Sequence, residues 1–378
     1  MKQQSPPQHL SPDAVQRIAI FRALQLGDLL VAVPAFRAIR ARFPQAEITL
    51  IGLPWAAAFV QRYHCYIDRF VEFGGYPGIK EQPVDSERTH HFIVEQRSYG
   101  YDLVVQLHGS GKTSNPFVLE LHGEVTAGAY EGTPPAGLTL ATVYPHDQHE
   151  IYCCLAVAEL LGCTEITPRL TFPLFEADHA EASTLLQNLP RSQRPWIGLH
   201  PGARPPARRW PIDYFAHLAD ELVHQFGAHI ILTGNSAEQA TAQAVIERMH
   251  TPAINLAGKT SLGGLGALIT QLDLFISNDT GPSHLAHALD QPSITIFGPA
   301  HFQRWAPLDQ EVHAIVRRPV ECSPCSYWTC PIDHRCLRWL TPAMVMHTAQ
   351  QLLAPGTHDR KDRRLAVVYK SEEHVCKD

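Results

Sequence analysis

An α/β protein of two Rossmann-like units is the fold this sequence predicts. Short apolar runs suited to buried parallel strands alternate with amphipathic stretches at helical spacing. The alternation occurs twice, once on each side of a proline-rich stretch near the middle. At 378 residues the chain is also too long for one ordinary core.

The first set opens with RIAIFRAL, a strand, followed by QLGDLLVAVPAFRAIRARFP, a tight loop leading into an amphipathic helix, and EITLIG, the next strand. That β-α-β order argues for a parallel sheet. AAAFVQRY, FVEFGG, residues 91–98 and YDLVVQLHG continue the alternation, and IYCCLAVAELLGC is helical by period and ends at a glycine. The second set runs through PWIGLHPGA, YFAHLADELVHQFG, AHIILTGN, SAEQATAQAVIERMH, AINLAGK, SLGGLGALITQL, LFISND and SITIFGP. Units are expected at 17–172 and 195–355, joined by a linker at 173–194. A polar tail at 1–16 and a charged tail at 356–378 are read as disordered or surface chain. Ligands bind such sheets at the carboxyl ends of the strands, so the cleft between the units is the expected site.

Composition narrows the function classes. Hydrophobic residues make up 45% and charged residues 18%, as in a soluble globular protein. A formal charge of −6 argues against wholesale nucleic-acid binding. No apolar run reaches the ~18–20 residues that span a bilayer, and the start lacks a signal-peptide pattern. A cytoplasmic protein is expected, touching a membrane only from that side. Of nine cysteines, Cys322, Cys325, Cys330 and Cys336 cluster, with His334 among them. In a reducing compartment such a cluster is a metal clip or a thiol-rich structural loop.

Two stretches imitate phosphate loops. Gly111-Lys112-Thr113 follows a strand, but the first glycine of the phosphate-loop pattern is replaced by Gln106; LAGKTS fails in the same way at Ala253. DTG at 279–281 resembles an aspartic-protease motif, yet Pro282 and an apolar-periodic segment start a helix there.

Four strand-end turns remain. In SNDTGPSHLAHAL, Thr280 or Asp279 suits an N-cap, and the helix start with Gly281 favours an anion, with His284 one turn in. Gly27-Asp28 ends the first strand, as a helix cap or as a general base. Arg204, Arg208 and Arg209 crowd the loop after His200, a solvated basic loop or a grip for a diphosphate. Glu238 lies in the GNSAE turn, placed to meet ribose hydroxyls or to complement a helix dipole.

Taken together, RIAIFRALQLGDLLVAVPAFRAIRARFP, YDLVVQLHGS, IGLHPGARPPARRWP, ILTGNSAEQ, SNDTGPSHLAHAL and CSPCSYWTCPIDHRCL make the chain resemble the bacterial heptosyltransferases, over roughly residues 17–350. That family adds heptose from ADP-heptose to the lipopolysaccharide inner core. The resemblance implies a GT-B fold and inverting, metal-independent transfer with no required cofactor. By position it makes Asp28 the catalytic base. Thr280, Gly281 and His284 become donor-phosphate contacts, Asp279 a carboxylate near the sugar, and Glu238 a nucleotide contact. Arg208 stands where the family usually has lysine, which keeps the charge but changes its geometry. Acceptor-side contacts are expected from the first unit, at Gly27, His108 and Lys112. A lipid-linked acceptor would bring the protein to the inner membrane as a peripheral partner. Another nucleotide sugar, a protein acceptor, or a non-catalytic nucleotide-sugar-binding role on the same fold remain alternatives.

Overall fold

The computed structural model describes residues 10–187, 189 and 194–354. Two compact units divide at Leu170 and Thr171. The charged stretch 356–378 and residues 1–9 lie outside the described residues.

The first unit carries strands β1 (Arg17–Phe21), β2 (Glu47–Gly52), β3 (Arg69–Glu72), β4 (Leu103–Gln106), β5 (Val125–Tyr130) and β6 (Leu140–Val143). Its helices are α1 (Leu26–Leu30), α2 (Val33–Arg42), α3 (Ala56–Arg62), α4 (Ser86–Tyr99), α5 (Ser114–Leu119) and α6 (Glu150–Leu160). The sheet order is β3-β2-β1-β4-β5-β6, with every pairing parallel. Central β1 is apolar on both faces because helices cover both, so it reads as a continuous run rather than an alternation. Phe21 packs its ring 4.5 Å from Phe117 and 5.1 Å from Phe73, at the centre of an aromatic core. Helix α4 starts where the Asp85 side chain accepts the Arg88 N–H at 2.9 Å, and it stops at Gly100, whose φ of 74° suits glycine.

The second unit begins with α7 (Glu176–Leu186) and then alternates β7 (Trp196–His200), α8 (Ile212–Phe226), β8 (His229–Leu232), α9 (Gln239–Ile246), β9 (Ala253–Asn255), α10 (Leu262–Ile269), β10 (Leu274–Asn278), α11 (Gly281–Ala288) and β11 (Ser293–Phe297). Four further elements close it: α12 (Phe302–Trp305), β12 (His313–Arg317), α13 (Arg335–Arg338) and α14 (Pro342–Leu353). Its order, β12-β11-β10-β7-β8-β9, is again all parallel. Each sheet therefore has one switch point, where the chain reverses its direction of travel: β1/β4 in the first, β7/β10 in the second. Among the described residues no helix is long and apolar enough to cross a membrane.

Three expectations change. The stretch after β1 is two short helices, because Pro34 suits the first turn of a new helix and not the interior of an old one. Residues 10–16 are not all tail: Leu10 and Val15 are buried, and Arg42 donates to the Leu10 carbonyl at 3.1 Å. Residues 173–186 are not a free linker either. Phe172 and Leu174 lie where a Cβ on Gly266 of α10 would meet them, at 2.9 and 3.0 Å, so α7 and its approach belong to the second unit. Strands β5, β6 and β12 fall outside the apolar runs of the sequence: β6 and β12 are half-exposed, and buried β5 is interrupted by Gly128 among small residues.

Ser261 joins α7 to α10. Its Oγ accepts the Gly264 N–H at 2.9 Å as N-cap and donates to Glu181 Oε2 at 2.6 Å. Replacing an N-cap serine by alanine costs about 0.5–2 kcal/mol. Ser261→Ala should lower the urea-unfolding stability by that amount. Because Glu181→Ala removes the same contact, the double variant should lose less than the sum of the two.

Candidate active site

In the first unit the switch point is built around Arg22, a guanidinium with no exposure at the end of β1. Its Nε donates to the Asp28 carbonyl at 2.7 Å, its Nη1 to the Leu107 carbonyl beyond β4, and its Nη2 to Glu150 Oε1 at 3.1 Å. One side chain thus ties both sides of the switch point to the start of α6. Burial works against the Arg22 charge, but Cys154, Glu150 and Asp28 more than offset it, and its pKa is raised.

Asp28 is the third residue of α1 and half-buried. Its Oδ2 accepts the Gln25 N–H at 3.2 Å, so the cap expected of it is real. A carboxylate can serve both roles, since one N–H leaves the other oxygen able to take a proton. Gly27 is buried beside it. His108 stacks on Phe21 at 4.9 Å, and its Nδ1 accepts the Ala23 N–H at 3.2 Å. The ring proton is therefore assigned to Nε2, 3.8 Å from Glu81 Oε2. Burial, then the Arg22 charge, pushes the His108 pKa from 6.5 down to about 3. His108 is thus neutral at neutral pH, and it opposes folding increasingly as pH falls from about 6.5. Lys112 is exposed on the turn before α5, a helix of only 6 residues.

In the second unit the switch point is organised by Asn278, the fully buried last residue of β10. Its Nδ2 donates to the Pro201 and Gly202 carbonyls at 2.8 and 3.2 Å, and its Oδ1 accepts the Trp210 N–H at 3.0 Å. Both ends of the arginine loop are so fixed to the strand beneath. The three arginines part company within that loop. Arg208 Nη1 lies 2.9 Å from Asp279 Oδ2; Arg209 donates to the Ala203 carbonyl at 2.8 Å; exposed Arg204 sits 5.8 Å above the Trp328 ring. The three guanidinium groups are thus held in three different ways, Arg209 by its own loop through Nε.

Asp279 is 2% exposed, and its Oδ2 accepts no aligned hydrogen bond despite the nearby guanidinium. Burial raises its pKa, and Arg208 opposes that rise only in part. Thr280 is the N-cap residue of α11 by backbone, but its side chain makes no capping hydrogen bond. The hydroxyl and the Gly281 N–H remain at the helix start, where the dipole favours an anion. His284 is buried one turn in, edge-on to Trp305 at 6.1 Å.

Glu238 forms a capping box with Asn235: its Oε2 accepts the Asn235 N–H at 2.9 Å and Asn235 Oδ1 accepts the Glu238 N–H at 3.1 Å. The same carboxylate lies 3.7 Å from His200 Nε2 and fills the space a Cβ at Gly202 would need, 2.1 Å away. His200 is driven toward the neutral form by burial, partly countered by Glu238. Glu238 therefore joins the β7 and β8 loop ends, adding a positioning role to the two read from sequence.

The cysteine-rich loop abuts the arginine loop. The Trp328 carbonyl accepts the Ala207 N–H at 3.0 Å, and His334 Nε2 donates to the Ala207 carbonyl at 2.6 Å. Cys336 is buried, its thiol pushed up to about 11 by burial and then by the neighbouring Cys330, Cys322 and Cys325. Among the described residues no group of three or more His, Cys, Asp or Glu is placed to hold a metal ion.

Arg22, Glu150, His200, Asn235 and Asn278 were not among the sequence-derived candidates. The signal available for Arg22 and Asn278 was a polar residue at the end of an apolar strand, where burial demands partners.

Two parallel sheets of this order, with polar groups gathered at each switch point, are the GT-B fold. The chain belongs to glycosyltransferase family 9 (heptosyltransferase), which it matches over residues 90–335. It is 32% identical to lipooligosaccharide heptosyltransferase 2 of Haemophilus ducreyi over 361 residues, 89% of this chain and 99% of that protein. It is 26% identical to lipopolysaccharide heptosyltransferase 2 of Salmonella typhimurium over 313 residues, 79% of this chain and 87% of that one. The fold matches that of the Escherichia coli ADP-heptose lps heptosyltransferase II with a TM-score of 0.68 at 22% identity, covering 89% and 98% of the two chains.

Removing Arg208 would strand the buried Asp279 charge. Losing one partner of a fully buried pair costs about 3–5 kcal/mol; Arg208→Ala should cost less, since that side chain is 34% exposed. Asp279 has a raised folded-state pKa, so acid neutralises it in the native state first. The Arg208→Ala penalty should therefore be larger at pH 7 than at pH 4.5 in urea unfolding, and Asp279→Asn should relieve most of it at pH 7.

Proposed function

We propose that this protein transfers a heptose from ADP-heptose to a hydroxyl of the lipopolysaccharide inner core, with inversion at the anomeric carbon. The observation that carries the reading is that one family 9 chain has a carboxylate at the switch point of its first unit and an anion-favouring helix start at that of its second. Asp28 accepts the proton of the acceptor hydroxyl as that oxygen attacks the anomeric carbon. The bond from that carbon to the diphosphate oxygen breaks, and ADP leaves with the electron pair.

The charge that grows on the leaving group is met by fixed donors. The start of α11 with Thr280 and Gly281 supplies backbone dipole and hydroxyl, Arg208 supplies a guanidinium, and Arg204 adds a further positive charge from the loop rim. His284 backs the helix start. Asp279 orients Arg208 and stands near the sugar, while Glu238 contacts the nucleotide ribose. Such an arrangement serves the leaving group without a required metal or cofactor. Gly27, His108 and Lys112 lie on the acceptor side. The lipid-linked acceptor places the enzyme in the cytoplasm, peripherally at the inner membrane.

The names of the relatives support lipopolysaccharide synthesis as the setting, the Salmonella protein being a lipopolysaccharide heptosyltransferase. A nucleotide-sugar-binding protein without catalysis would need no base at Asp28. The test is ADP release from ADP-heptose with and without Kdo–lipid A or its mono-heptosylated form. Release should depend on one of these acceptors. General-base assistance is worth about 10²–10⁴ in rate, so Asp28→Ala should lose turnover on that scale while ADP affinity stays within about twofold. Wild-type turnover by Asp28→Ala would remove Asp28 from the mechanism.

A further inference from the structure

We propose that Glu150 is a positioning residue for the Asp28 base, acting through the buried guanidinium of Arg22. The inference rests on the reading of Asp28 as the base. Arg22 and Glu150 have side chains 0% and 4% exposed, and they meet at 3.1 Å. The second oxygen of Glu150 accepts the Tyr144 hydroxyl at 3.0 Å, so the carboxylate is held from both sides. Glu150 is also the first residue of α6, where the helix dipole favours its charge. Arg22 in turn holds the Asp28 backbone through its Nε. A line of charges results: negative at Glu150, positive at Arg22, negative at Asp28.

The line has an electrostatic purpose. An unopposed guanidinium beside a carboxylate favours the ionised form and weakens it as a base. Glu150 opposes the Arg22 charge from its far side, while Arg22 fixes the Asp28 backbone. The other polar groups about this cluster do not replace Glu150. His108, beyond β4, is held neutral with Glu81 on its far side; Cys154, on α6, has its thiol pushed up to about 12 by burial. Tyr144 donates its hydroxyl to Glu150 and so supports that carboxylate rather than replacing it. Burial also raises the Glu150 pKa, Arg22 opposes the rise, and Asp28 adds to it, as close charges at one centre must.

The sign of the effect follows. Glu150→Gln removes a negative charge and leaves Arg22 facing Asp28 alone, which favours the carboxylate over the acid. The acid limb of the pH profile of kcat/KM should move to lower pH by about one unit, as neighbouring charges commonly shift carboxylates. The plateau should fall by up to about tenfold as the base weakens. Glu150→Asp should restore part of both. Tyr144→Phe, which keeps all three charges and most of the packing, removes a hydrogen bond to ionised Glu150 and should move the limb the same way by less.

The experiment is the pH profile of ADP release from ADP-heptose with mono-heptosylated Kdo–lipid A, for wild type, Glu150→Gln, Glu150→Asp and Tyr144→Phe. Asp28→Asn is run alongside, and thermal melting and ADP binding confirm folding. A downward limb in Glu150→Gln, or in Tyr144→Phe should the first not fold, supports the proposal. A plateau loss with the limb unmoved in the folded variants would mean a merely structural Glu150 and overturns it. Wild-type turnover by Asp28→Asn overturns the base assignment and this inference together, whereas an inactive Asp28→Asn with an unmoved limb overturns this inference alone.

Discussion

Parallel strand pairing is the constraint on which everything else in the molecule depends. A parallel strand cannot be followed by a tight hairpin, so each must return through a crossover segment, and the strand-to-helix turns then gather at one edge of the sheet. In both units the crossovers run outward from a central strand, β1 or β7, and then start again on its other side at β4 or β10. The two central turns diverge there, and the space between them cannot be closed by either connection. Asp28 and His108 border that space in the first unit, and the arginine loop and the α11 start border it in the second.

Turns that diverge must be held, and each unit does so with one fully buried polar side chain. Arg22 reaches the carbonyls of Asp28 and Leu107; Asn278 reaches the carbonyls of Pro201 and Gly202 and the N–H of Trp210. Both satisfy backbone groups that the sheet leaves unpaired at its edge, where a lone buried polar group would be costly. The difference between them is charge. Asn278 needs no counter-ion, whereas Arg22 requires one, and Glu150 provides it 128 residues further along the chain.

Much of the fold was legible because buried parallel strands are written as continuous apolar runs, and β1, β2, β4, β7, β10 and β11 are such runs. Half-exposed β6 and β12, and the glycine-bearing β5, lack that signature and were not legible. The place of each site residue at a strand end was also readable, since it follows from the period alone. What each side chain does there was not. Whether Arg209 is tied to its own loop, and whether Thr280 caps its helix, depends on distances that the period of the sequence does not give. Glu150 could not be connected to Asp28 from the sequence because the link passes through a strand, a crossover and the start of a distant helix.

Thr280 carries the last consequence. An N-cap residue whose hydroxyl makes no capping bond leaves the start of α11 incomplete on its own. Under the reading of this turn as the diphosphate site, the bound anion supplies what the side chain withholds. Folding and occupancy then become one linked equilibrium: a ligand present at a hundred times its dissociation constant stabilises the form that binds it by about 2.7 kcal/mol. The protein would be least robust when nucleotide is scarce, and its lifetime in the cell would follow the supply of its own donor.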